Sequence, residues 1–236
     1  MFHKEKDTEL PPEIEHIYPD YSLYPSLTKD TAYGFLTRGC PRGCKFCVVG
    51  KKEGLCSRKV ADLSEFWSGQ KNIVLCDPNI LACKDWKDLL QQLIDSKANV
   101  DINQGLDIRL MTEEKALMLQ QIKLKEIHFA WDRYEDKDKV LPKLKLYSNY
   151  IKGNAHNNIV FTIVNFDTSI EQDLDRIYTL RDMGYWPYVM VYDKAHARPI
   201  YTRLQRWVNN RFVFARCKRF EDYNIIPKKD NNPTLF

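Results

Sequence analysis

Three cysteines fall within eight residues, in the run Cys40-Pro41-Arg42-Gly43-Cys44-Lys45-Phe46-Cys47. Thiolates are soft ligands that select iron–sulfur clusters or zinc. The C-x3-C-x2-C spacing lets all three sulfurs converge from one loop, and Gly39 and Gly43 permit the backbone angles such a wrap needs. A closed zinc site takes four ligands, and so does an ordinary electron-transfer cluster. This motif offers three. The missing ligand leaves one metal position open, which marks catalysis rather than structure. The alternative is a zinc or redox module in which Cys56, nine residues on, supplies the fourth thiolate. Of the seven cysteines, Cys76, Cys83 and Cys217 are scattered, and Cys76 and Cys83 read as packing residues.

Something must hold that loop. From Thr31 onward, short β-rich runs alternate with segments of helical period. Strands are predicted at 32–36, 72–75, 99–102, 126–130, 159–164 and 187–192. Helices are predicted at 61–67, 84–97, 112–123, 140–150, 170–183 and 200–211. Trp86, Leu89, Leu90 and Leu93 share one helical face. Thr112 and Ser169 stand where N-caps belong, and Gly184 stands at a helix stop. Repeated β/α units imply a parallel sheet with helices outside it. Six units fall short of a closed eight-fold barrel and predict a partial (βα)6 TIM-like barrel. Residues 1–30 read as an extended lead-in, 31–193 as the barrel and 194–236 as a basic helical arm and tail. The tail from Pro227 is expected to lack structure.

The motif resembles the signature of the radical S-adenosylmethionine (AdoMet) superfamily: C-x3-C-x2-C, an aromatic before the last cysteine, and a place just past the first strand. The resemblance implies a 4Fe–4S cluster on Cys40, Cys44 and Cys47, with AdoMet on the open iron and Phe46 near its adenine. It implies reductive cleavage of AdoMet to a 5′-deoxyadenosyl radical that attacks a substrate, with electrons from a donor such as flavodoxin or ferredoxin. Thr37-Arg38-Gly39-Cys40-Pro41 and Tyr18-Pro19-Asp20-Tyr21 are similar to the cobalamin-associated branch. That branch carries a Rossmann-like cobalamin domain ahead of its linker, for which some 30 residues are too few. The implied cobalamin is thus at odds with the length, and either a short lineage or a fragment is expected. A degenerate homologue that holds a cluster without cleaving AdoMet is a further alternative.

The resemblance also implies polar groups for AdoMet at later strand ends. A Gly-Gly-Glu is usual after the second strand, but the sequence there is Cys76-Asp77-Pro78-Asn79. Asp77 and Asn79 are the candidates, set against simple turn chemistry. After the third strand, Asp107 and Arg109 would point the same way if extended. They could reach AdoMet or substrate, or pair with each other. Trp131 and Asp132 after the fourth strand, Asn165 after the fifth, and Tyr192 and Asp193 after the sixth complete the ring. His128, amid apolar neighbours, reads as a core or interface histidine.

Residues 194–219 contain eight Lys or Arg and no acid, with Tyr201, Trp207, Phe212 and Phe214 interleaved. That pattern suits single-stranded RNA, or else an amphipathic helix packed on the barrel through Trp207. The rival of another class is accordingly a metal-stabilised RNA-binding module. The net charge of +4 decides nothing alone. The charged N-terminus has no apolar leader and no run is long enough to cross a bilayer, so no membrane association and a cytoplasmic location are expected.

Overall fold

The computed structural model describes residues 10–150 and 157–223. The expected disorder of the tail lies outside the described residues. Six strands form one all-parallel sheet: β1 (Thr31–Gly34), β2 (Asn72–Leu75), β3 (Asn99–Leu106), β4 (Lys123–Ala130), β5 (Asn158–Val164) and β6 (Trp186–Val191). They lie side by side in chain order, an open arc of TIM-like type. Five helices follow β2 to β6 in turn: α1 (Trp86–Ser96), α2 (Glu113–Gln121), α3 (Lys137–Ser148), α4 (Ile170–Asp182) and α5 (Pro199–Asn209). A short α6 (Arg211–Arg216) packs on α5.

Local chemistry sets the helix starts. Thr112 Oγ1 accepts from Lys115 N, and Ser169 with Gln172 forms a reciprocal capping box at α4. Gly184, at φ 80°, turns the chain after α4 back into β6. The helix expected at 61–67 is a single 3-10 turn, Leu63–Glu65, capped by Asp62. Trp67 Nε1 donates to Gln70 O 2.8 Å away, as the chain doubles back to β2 before a second turn can form. The β1–β2 connection is therefore given over to the cysteine loop and a two-residue antiparallel ladder, Thr37–Arg38 with Arg58–Lys59.

The outward face of the sheet buries its apolar residues under the helices in two clusters. One joins β1–β4 to α1–α3 around Ile73, Leu89, Ile102 and Phe129. The other joins β5 and β6 to α4–α6 around Val189, Leu204, Trp207 and Phe214. At roughly 25 cal/mol per Å² of apolar surface removed from water, such aromatics dominate their cluster. The arm is thus docked on the sheet through its aromatics. Of the four aromatics that RNA binding would use as stacking platforms, Tyr201, Trp207 and Phe214 are 3%, 0% and 1% exposed, as the packed-helix alternative has it for Trp207, and only Phe212 stands in solvent.

Side chains close both outer strands. Tyr21 Oη accepts from Tyr33 N (3.0 Å) and lies 3.2 Å from Tyr33 O on β1. On β6, Val189 N donates to Asn209 Oδ1 (2.8 Å), while Asn209 Nδ2 donates to Val189 O (2.9 Å).

Candidate metal and cofactor site

Asp77 fixes where the cysteine loop begins. Its carboxylate is fully buried and accepts from Leu36 N, Thr37 N and Thr37 Oγ1 at 3.0, 2.6 and 2.7 Å. Burial pushes its pKa up to about 6 against those hydrogen bonds. The loop then closes on itself. Gly39 N donates to Glu53 Oε2 (2.9 Å), and Cys40 N to Gly54 O (3.2 Å). Gly39 has φ 82°, and a Cβ there would lie 2.2 Å from the Cys56 carbonyl oxygen. Only glycine fits. Cys56 meets the loop through that backbone, and its thiol is 3.7 Å from Ser57 O.

Cys40, Cys44, Phe46 and Cys47 line one cavity of about 480 Å³. Across it stand groups from the C-terminal ends of β3, β4 and β5: Asp107, Arg109, Trp131, Asp132, Phe166 and Asp167. Gln104 and Gly105 reach it because β3 bulges. Ile102 and Leu106, four apart, face Ile127 and Phe129, two apart, on β4. A Cβ on Gly105 would come within 3.1 Å of the Phe161 ring.

The sulfurs are electrostatically crowded. Burial raises the Cys44 thiol pKa, and Asp132, Cys47 and Cys40 raise it further. Three thiolates here need positive charge among them. Asn79 is 1% exposed, and its Nδ2 reaches Cys40 Sγ at 3.7 Å while Asp107 N donates to its Oδ1 at 3.5 Å. Among the described residues, no three Cys, His, Asp or Glu side chains close on a single ion position. A polynuclear cluster spreads its thiolates over separate irons and asks for no such point.

The charges opposite are paired with one another. Asp107 takes Arg42 Nε from the cysteine loop and Arg109 Nε at 2.7 Å, and Arg109 Nη1 pairs with Asp136. Asp107 and Arg109 do come together, but through a 3-10 turn (Ile108–Leu110) that Asp107 caps, not along an extended strand. Burial is the largest influence on Arg109 and opposes its charge, but the bond to Asp107 together with the charges of Asp107 and Asp136 outweighs it, so its pKa rises. Asp132 accepts from Ile163 N at 3.2 Å, and burial lifts its pKa to about 6.

Asp77 and Asn165 stand outside the cavity wall. Asn165 sits at φ 63°, a conformation asparagine tolerates, and donates to Tyr192 O at 3.0 Å, tying the ends of β5 and β6. Its neighbour Phe166 faces the cavity and packs on Phe46 with centroids 5.3 Å apart. Trp131 is 1% exposed, with Nε1 bonded to Arg133 O.

Asp136 in this wall and Arg176 behind it carried no expectation. Asp136 lies 29 positions beyond Asp107, too far for local pattern to join them. Arg176 on α4 is wholly buried and donates to Trp131 O, Asp132 O and Ile163 O at 2.7, 2.6 and 2.8 Å. It pins the ends of β4 and β5. The signal was there: Asp173, Arg176, Ile177 and Leu180 share one helical stripe, so two charges sit where apolar residues belong.

No family model matches the chain, and no curated protein matches it significantly. Among solved structures it is similar to the radical S-adenosylmethionine methyltransferase TsrM from Kitasatospora setae, whose structure holds cobalamin and a [4Fe-4S] cluster. The TM-score is 0.55 at 12% identity, over 68% of this chain and 36% of that one. That likeness establishes the fold: a partial TIM-like barrel of the kind a radical AdoMet enzyme uses. No described helix is long and apolar enough to cross a membrane.

Proposed function

We propose that this chain is a radical AdoMet enzyme that holds a 4Fe–4S cluster on Cys40, Cys44 and Cys47 and binds AdoMet in the cavity those thiols line. The observation that carries the reading is three cysteines on one glycine-wrapped loop at the C-terminal mouth of a parallel arc, where such folds keep their sites. When bound, cluster and AdoMet together supply a 5′-deoxyadenosyl radical for hydrogen abstraction. The protein's part is placement. Asp77 anchors the loop's first residues, and Arg42 ties its middle to Asp107 beyond β3. Asn79 directs an N–H at Cys40, which favours the thiolate. Phe46, braced by Phe166, offers a flat apolar wall to adenine. Asp132 offers a carboxylate to the cationic end of AdoMet. Arg109, spent on Asp107 and Asp136, shapes the wall instead of gripping a ligand.

Anaerobic reconstitution with iron and sulfide, then AdoMet and dithionite, tests this. Iron with sulfide and 5′-deoxyadenosine are expected, both lost in Cys44→Ala. One zinc per chain in place of a cluster would overturn the proposal. A cluster without cleavage would leave a degenerate homologue.

A further inference from the structure

Below the cofactor cavity, the concave face of the sheet holds a second hollow of about 450 Å³. The two share Gln104, Phe161 and Met190 as a common wall. The floor of the hollow is polar in a particular way. His128 is 5% exposed, and its Nδ1 lies 2.7 Å from Ile102 O. A carbonyl oxygen only accepts, so Nδ1 carries a proton, and in the neutral ring Nε2 is left as an outward-facing acceptor. Nε2 makes no hydrogen bond among the described residues, and 3.8 Å from it stands Glu126 Oε2. In that form two acceptors face one another, with no donor hydrogen-bonded between them among the described residues.

The surroundings deepen the negative charge. Asp101 stands behind the ring, with Oδ1 buried, without a hydrogen bond and 3.9 Å from His128 Nδ1. Burial raises the pKa of Asp101, and Glu126 raises it further. On the other side Arg211, 46% exposed, approaches Glu126 Oε1 at 3.7 Å. Above the acceptors the walls are aromatic. Phe161 stacks on His128 (4.9 Å between centroids), Tyr188 stands edge-on to Phe161 (5.7 Å), and Trp186 lines the hollow beside them.

We infer that this hollow binds a small primary-ammonium compound with an aromatic or apolar body, its ammonium seated between His128 Nε2 and Glu126 Oε2. A nitrogen about 2.8 Å from each acceptor would subtend roughly 85° between them, within reach of two of its N–H bonds. The aromatic walls take the body of the ligand and add attraction for the cation. Its far end then meets Phe161 and Met190, at the cofactor cavity. As a substrate site the inference rests on the function proposed above. As a cation site it does not.

The test titrates phenethylammonium, 2-phenylethanol and phenylacetate into the reconstituted protein by calorimetry, without AdoMet, and repeats this on Cys44→Ala. Phenethylammonium is expected to bind about tenfold more tightly than the alcohol, the worth of a charge-assisted hydrogen bond. Phenylacetate should not bind. Glu126→Gln, on a partly exposed side chain, should erase the tenfold preference and leave the alcohol unchanged. Tyr188→Ala should weaken both the ammonium and the alcohol. Equal affinity for the two, no binding of either, or an unaltered preference in Glu126→Gln overturns the inference. Ammonium binding retained in Cys44→Ala keeps the cation site whatever becomes of the cluster. Loss of 5′-deoxyadenosine with binding intact would count against the radical reading alone.

Discussion

In the loop at 40–47, three sulfur donors face the cavity with one hydrogen bond from the protein among the described residues, that of Asn79 to Cys40. Across the same cavity Asp107, Arg109 and Asp136, with Arg42 reaching over from the loop, spend their charges on one another. Groups that still need a partner are held by backbone, through left-handed glycines and carbonyl contacts. Groups that have found partners hold the backbone in turn. Chemistry that awaits a ligand is thus built on main chain, and chemistry that fixes shape on side-chain pairs.

The sharpest way to break this contrast is Cys44→Ala. Bound iron and sulfide should fall to background, while the urea stability of the metal-free chain moves by less than about 1 kcal/mol, since among the described residues no hydrogen bond depends on that half-buried thiol. Arg176→Ala should do the reverse. It strips three carbonyls and Asp173 of their buried donor and should cost about 4 kcal/mol in urea unfolding. Arg176→Lys should recover only part, because one ammonium cannot reproduce the fork.

Asp77 sharpens the comparison through pH. Its folded pKa of about 6 lies above the ordinary 3.8, so the folded chain keeps a proton that the unfolded chain releases first. Its contribution is fully present below pH 4, falls by up to about 3 kcal/mol as pH rises to 6, and is flat above. Asp132 adds a slope of the same sign. Urea midpoints from pH 4 to 7 should show Asp77→Asn losing its share of the slope and Asp132→Asn the rest. The smallest effect is expected at Asp107→Asn, about 2 kcal/mol. Arg42 and Arg109 lose a charged partner there, yet both remain partly in water. A loss as large as that in Arg176→Ala would show that the strand-end pairs are more than shape.

The parallel arc was legible because strand and helix periods alternate, and all six strands fall where the apolar runs place them. The helix at 61–67 failed because seven residues with helical pattern are too short to nucleate without room to extend. The cysteine motif was legible because its information is local. Of the partners of Arg109, Asp107 was legible as a possible pair, but Asp136 was not, because it lies beyond another strand. Asp77 and Asn165 look like ligand residues by position, but their side chains are consumed by Thr37 and Tyr192. His128 was read by its apolar neighbours in sequence; Glu126, two residues before it on β4, shares its face, while Asp101 comes from β3 and only pairing brings it there.

An arc of six strands has two ends, and an unpaired strand end is a template on which another chain can add itself. Here each end stops at one residue: Tyr33 is answered by the hydroxyl of Tyr21, and Val189 by the amide of Asn209, which donates and accepts as a seventh strand would. The sheet can therefore remain unclosed, with its concave side accessible from the gap, without inviting a neighbour to finish the barrel.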